Sequence, residues 1–162
     1  MVAETRVAVT GGAPLVTAHP RVDRGHADDR VDAVAFEAMR AMYQPAGGLA
    51  RGDDLARLLE DRARGDYVSL ARLIVTNRIF GFEWQQSFWI PMFQFNLDDL
   101  SVRRGLRQVL GELASEFEGW RLAAWFIEPN AWLKQGRPVD LIDSNLSEVV
   151  QAARADRFVA AA

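Results

Sequence analysis

Between Ile79 and Phe95 the chain reads Ile-Phe-Gly-Phe-Glu-Trp, then Gln-Gln-Ser, then Phe-Trp-Ile-Pro-Met-Phe-Gln-Phe. Aromatic and β-branched residues this dense around a polar break predict a β-hairpin, because such side chains pack well on a pleated surface. On the first strand Phe80, Phe82 and Trp84 alternate to one side, and Gly81 and Glu83 to the other. Pro91 has no N–H to give to a ladder, which puts the second strand at an edge or ends its pairing there. Trp89, Phe93 and Phe95 add aromatics to both faces, so each face must be covered by a helix of the same chain or by a second subunit. A homodimer is expected on that ground. The remaining aromatics, among five tryptophans and nine phenylalanines, are read mainly as core.

Around the hairpin the pattern is helical. Residues 1–30 hold Gly11, Gly12, Pro14 and Pro20 without a helical or strand period and are read as a flexible tail. From Val31 to Tyr43 the apolar positions Val31, Val34, Ala35, Ala38, Met39 and Met42 recur at steps of three and four, one face of a helix that Pro45, Gly47 and Gly48 stop. Asp53 or Asp54 caps a helix through Leu55, Leu58 and Leu59, and after Gly65-Asp66 a short helix runs to about Asn77. Beyond the hairpin, Ser101 or Asp98 opens a helix through Val102, Leu106, Val109, Leu110 and Leu113. Gly119 separates it from a helix carrying Trp120, Leu122, Ala123, Trp125 and Phe126, which Glu128-Pro129 ends. A last helix starts near Asn145 or Ser147.

Composition excludes several classes of function. The chain of 162 residues has no cysteine, and its two histidines, His19 and His26, both fall in the tail, so zinc or iron sites and histidine-dependent nucleophiles lack their parts. Asp53-Asp54, Asp98-Asp99 and the pair Glu116 and Glu118 sit at helix ends, where acids serve as caps. Gly11-Gly12 follows no apolar strand and meets no Lys-Ser/Thr partner, so the phosphate-loop patterns fail. The expectation is a protein that is not an enzyme and binds no cofactor. No apolar run is long enough for a membrane span and no signal-peptide core is present, which predicts a cytoplasmic protein without a membrane partner.

The helix, turn, helix and hairpin from Asp53 to Phe95 resemble a small winged-helix reader, whose second helix enters the major groove. Residues 66–95 would then form the reading unit, with Ser69, Arg72, Thr76, Asn77 and Arg78 as DNA contacts on a promoter. Against this stands the charge: Arg51 to Arg78 holds six arginines and five acids, and the whole chain carries a net charge of -3. Bulk attraction to phosphates is weak at that balance.

Three stretches near the C-terminus are more specific. Pro129-Asn130-Ala131-Trp132-Leu133, Gly136-Arg137-Pro138-Val139-Asp140-Leu141 and the run from Val149 to Phe158 resemble the toxin-binding domain of Xre/MbcA/ParS-type antitoxins. That family pairs a tryptophan-leucine dipeptide and a Gly-Arg-Pro-hydrophobic-Asp-Leu run with a terminal amphipathic helix. The resemblance implies an antitoxin that binds a RES-domain toxin, an NAD-consuming enzyme, through its C-terminal part. Arg154, Arg157 and Phe158 would lie nearest the partner, with Arg137 and Trp132 shaping the contact. Read from the residues alone, Trp132 and Leu141 belong to the core, and Arg137 pairs with Asp140 to fix a turn. The hairpin departs from the family, whose members carry a helical Xre-like DNA-binding region before the toxin-binding part.

The fold expected is therefore α+β and mostly α: a tail (1–30), helices with an aromatic hairpin in a winged-helix-like arrangement (31–100), and a small helical toxin-binding-type domain (101–162).

Overall fold

A computed structural model of the chain describes residues 24–162, with side chains described from Ala33 onward. The tail expected over residues 1–23 lies outside the described residues, while 24–30 already belong to the first helix. The protein is α+β and mostly helical. Its elements are α1 (Arg24–Tyr43), β1 (Leu49–Arg51), α2 (Gly52–Asp61), α3 (Tyr67–Val75), β2 (Phe82–Trp84), β3 (Ser87–Pro91), α4 (Leu106–Leu113), α5 (Gly119–Ile127), α6 (Pro138–Leu141) and α7 (Leu146–Ala161). No helix among the described residues is long and apolar enough to cross a membrane.

The hairpin forms where the aromatic pattern places it. β2 and β3 pair antiparallel with Phe82 opposite Trp89 and Trp84 opposite Ser87. Gln85 and Gln86 form the turn with φ of 46° and 58°, the doubly left-handed backbone that matches the twist of a tight hairpin. One strand is added that periodicity does not reveal. β1, three residues long, pairs with the other side of β3, so the sheet order is β1-β3-β2 and β3 is central. Pro91 is tolerated there because it is the last residue of β3.

Past Pro91 a side chain takes over from the ladder. Gln94 is completely buried. Its Oε1 accepts from the Phe80 N–H at 2.8 Å, while its Nε2 donates to the Phe80 carbonyl at 2.8 Å and to the Pro91 carbonyl at 3.0 Å. The amide thus satisfies both main-chain groups of Phe80 where no strand neighbour reaches them. Gly81, beside it, is obligatory by contact: a Cβ would stand 2.5 Å from the Phe88 ring and 2.6 Å from the Trp89 carbonyl.

The sheet face that carries Phe82, Trp84 and Trp89 is covered by the chain itself. Phe36 of α1 stacks on Trp84 with ring centroids 3.8 Å apart and leans on Trp89 and Phe82. Trp120 of α5 meets Phe82 edge-on, and Phe126 stacks on Phe80. On this face helices of the same chain, α1 and α5, provide the cover expected of a helix or a second subunit. Among the described residues the indole N–H groups of Trp84 and Trp89 are buried without an acceptor, a cost of about 1–3 kcal/mol each that the surrounding apolar burial must outweigh.

α1 buries a different face from the one its apolar period picks out. Phe36, Met39 and Tyr43 enter the core, whereas Val34, Ala35, Ala38 and Met42 stay exposed. Removing an aromatic ring from water gains more than removing an alanine methyl, so the two aromatics set the rotation of the helix. The Tyr43 hydroxyl donates to the Ala123 carbonyl at 2.6 Å, tying α1 to α5; burial pushes its pKa well above the usual phenol range.

The second half shares this core, one continuous cluster running from Phe36 to Ala153. α4 begins at Leu106, later than Ser101 or Asp98, because Asp99 takes the Ser101 N–H at 2.9 Å and hydroxyl at 2.7 Å in a turn and Phe95 bridges Val102. α7 lies against α4 and inserts Val149, Ala152 and Ala153.

Candidate functional site

Two surfaces carry the side chains that sequence reasoning singled out. The first is the C-terminal arm. Asn130 accepts from the Trp132 N–H at 2.9 Å and so caps the single turn 131–133. Lys134 and Gln135 then reverse the chain in left-handed conformations, with φ of 54° and 68°. Gly136 closes the reversal by bridging Asn130, where a Cβ would stand 2.8 Å from the Leu141 side chain. Arg137 grips Asp140 with two hydrogen bonds of 2.6 and 2.9 Å, the turn-fixing pair expected. That contact raises the Arg137 pKa further.

Asp156 of α7 is the centre of this region, and nothing in the sequence pattern marked it. It receives the Trp125 indole N–H at 2.8 Å, the Asn130 amide at 2.6 Å and the Trp132 indole N–H at 2.9 Å. These donors lock the turn onto α7 but leave the Trp132 ring outside. Trp132 is 59% exposed rather than core, because the arrangement that delivers its N–H to Asp156 lays the ring along the surface of α7. Leu141 is half-buried.

Arg154 and Arg157 face the other way. Both reach Glu112 of α4, at 2.7 and 2.8 Å, so they fasten α7 to its neighbour. The Arg154 hydrogen bond and the two positive charges hold the Glu112 carboxyl below its ordinary range. Of the five side chains expected at a partner contact, Arg137, Arg154 and Arg157 are thus engaged within the chain. Trp132 and Phe158 remain available. Trp132, Lys134, Glu148, Gln151, Ala152 and Ala155 line a shallow concavity of about 390 Å³. Phe158 and Val159 follow Gln151 and Ala155 on the same helical face and are 77% and 63% exposed.

The second surface surrounds α3. Asp66 caps this helix by accepting from both the N–H and the hydroxyl of Ser69 at 2.7 Å. The Thr76 hydroxyl donates to the Arg72 carbonyl at 2.7 Å, and Asn77 ends the helix in a left-handed conformation at φ 51°. Three of the five residues expected to touch DNA are therefore spent on starting and stopping α3. Arg72 and Arg78 are exposed, with no carboxylate partner among the described residues. They share a concavity of about 500 Å³ with Arg64 and Arg107, two arginines that sequence reasoning did not place there. Arg107 belongs to α4 and joins this surface only through the tertiary fold. Beside these charges the outer side of α3 is apolar, with Tyr67, Val68 and Val75 exposed.

Among the described residues no three His, Cys, Asp or Glu side chains converge as metal ligands. No family model, curated protein or solved structure matches the chain.

Proposed function

We propose that this chain is a non-enzymatic, antitoxin-like binding protein that neutralises a partner toxin through its C-terminal arm. The partner class is the RES-domain toxin implied by the sequence resemblance, and the setting we infer is cytoplasmic. The observation that carries this reading is the exposure of Trp132 and Phe158 on the very stretch, residues 129–158, where the resemblance is strongest. Large aromatics on a rigid support are the side chains that dominate protein interfaces. The support here is rigid because Asp156 and Glu112 hold α7, and the 131–133 turn, against the core.

Truncation at Gln151 would remove Ala152 and Ala153 from the core, so point variants make the sharper test. A tagged full chain co-expressed with a RES-domain toxin should retain it and suppress its NAD consumption. Phe158→Asp should release the toxin while preserving the thermal transition, and Trp132→Ala should release it with a lowered transition, since the bond to Asp156 goes with the ring. Retention of toxin by the double variant would overturn the reading.

A second reading, a DNA-binding regulator, draws on two observations. The order helix, strand, two helices and a hairpin with sheet order β1-β3-β2 supports a comparison with winged-helix readers, in which α3 would be the reading helix. Arg64, Arg72, Arg78 and Arg107 concentrate positive charge beside it. Under this reading the chain shifts its own promoter fragment, and Arg72→Ala with Arg78→Ala lowers the salt slope of binding by about two. A shift unchanged by both substitutions would remove α3 from the interface. The apolar Tyr67, Val68 and Val75 on its outer side make it the weaker of the two.

A further inference from the structure

Most arginines of this protein are engaged by a neighbour. Among the described residues Arg40, Arg57, Arg103, Arg137, Arg154 and Arg157 pair with carboxylates, and Arg62 and Arg121 donate to main-chain carbonyls. Of those with neither kind of partner, Arg51 and Arg104 lie elsewhere, and the other four, Arg64, Arg72, Arg78 and Arg107, line a single concavity of about 500 Å³. No acidic side chain lines it. Asp99, whose carboxyl is held low by its bonds to Ser101 and more weakly by the Arg64 charge, stays outside the lining.

The main chain fixes where two of these side chains start. α2 and α3 each end on a left-handed residue, Ala63 and Asn77, with φ of 53° and 51°. The arginine that follows turns its N–H back to the helix, Arg64 to the Leu59 carbonyl at 2.8 Å and Arg78 to the Leu73 carbonyl at 2.9 Å. A positive charge just past a helix end suits the helix dipole, which accounts for each of these two alone but not for their meeting with Arg72 and Arg107. Ser69, Leu73 and Thr76, at steps of four and three, form the flank of α3 that faces the concavity. The hydroxyl protons of Ser69 and Thr76 are already given to Asp66 and to the Arg72 carbonyl, so the guanidiniums are the donors left for a ligand.

We propose that this concavity binds a small molecule carrying two or three linked phosphate groups. Guanidinium is the side-chain group best matched to phosphate oxygens, through paired N–H donors and a permanent charge. A phosphate monoester carries up to about two negative charges, so four guanidiniums exceed what one phosphate balances and match a di- or triphosphate. The volume is in the range of small-molecule sites. A DNA duplex fits the same charges less well, because it presents its phosphates along an extended convex rod. The ridge of α3 that would meet such a rod first carries Val68 and Val75 on either side of Arg72, 62% and 81% exposed. A compact ligand enters beside that ridge and lies within the ring of arginines. The site shares its arginines with the DNA reading but does not depend on it, and it is separate from the C-terminal arm.

Titration calorimetry of the full chain in metal-free, low-salt buffer should show saturable one-to-one binding of pyrophosphate and of ATP, each about tenfold or more tighter than orthophosphate. Equal affinity for the two would mean that the phosphates alone are read, and tighter binding of ATP that the nucleoside adds contacts; both outcomes support the proposal. Arg72→Gln and Arg107→Gln, at exposed positions, should each weaken pyrophosphate binding by about tenfold without moving the thermal transition. Arg51→Gln removes the same charge outside the concavity and should change binding by less than about twofold. Absence of saturable binding by both ligands overturns the proposal, as does orthophosphate binding as tightly as pyrophosphate. Binding that ignores Arg72→Gln and Arg107→Gln, or that falls equally in Arg51→Gln, overturns it as well, since the contact would then lie elsewhere or be a diffuse effect of charge. A short DNA duplex held through Arg72 and Arg107 when neither small ligand binds would return the site to the DNA reading.

Discussion

Phe80, Phe82 and Ile90 in and beside the hairpin keep 7%, 2% and 0% of their surface exposed, while Trp132 and Phe158 in the C-terminal arm keep 59% and 77%. The residue types are alike; their surroundings differ. The hairpin is covered by α1 and α5 on its Phe82 face and touches α2 through β3, and the spare main-chain polar groups of Phe80 are satisfied by a neutral amide, Gln94. The arm is held at its edge by carboxylates, Asp156 and Glu112, which are only partly buried and leave the rings of Trp132 and Phe158 uncovered. Polar groups therefore serve opposite ends in the two regions. In the hairpin they permit complete burial, and in the arm they fix a surface in place.

Four substitutions would break or sharpen that contrast. Gln94→Leu should be the most damaging, because it strands the Phe80 N–H and carbonyl and the Pro91 carbonyl in an apolar interior; a loss of about 3 kcal/mol or more in denaturant unfolding is expected. Tyr43→Phe keeps the ring and removes only the bond to the Ala123 carbonyl, at a cost of about 1–2 kcal/mol by the same measurement. Glu112→Gln should act more weakly and show itself mainly in pH dependence. A carboxyl held below its ordinary value of 4.5 contributes stability that is complete above that value and is lost as pH falls through the lower folded value. Thermal melts of Glu112→Gln should accordingly show a lower midpoint at neutral pH and a shallower decline on acidification than the parent chain. Phe158→Asp should leave stability within about 0.5 kcal/mol, as for other exposed sites. A large destabilisation there would mean that the end of α7 belongs to the core and not to a surface.

Much of the fold was legible because it rests on local chemistry. The hairpin, the end of α5 before Pro129 and the Arg137–Asp140 turn all involve residues a few positions apart. Gln94 also left a trace, as a single amide within the apolar run Met92-Phe93-Gln94-Phe95. β1 left none, since three residues are too few to carry a period. The rotation of α1 was misread because position was weighed without side-chain size.

The candidate surfaces divide along the same line. Arg154, Arg157, Arg72 and Arg78 could be named from the sequence, yet their availability could not. Glu112 lies 42 positions from Arg154, and Asp156 lies 24 from Trp132 and 31 from Trp125. The sequence by itself determined where the hairpin lies, where proline and glycine stop the helices, and that cysteine- and histidine-based chemistry is absent from residues 33–162. Only the tertiary structure decided which face of α1 is buried, that Arg107 stands beside Arg72, and that Trp132 and Phe158 stay outside. Local propensity acts over a few residues, whereas burial and charge pairing depend on partners that folding alone brings within reach.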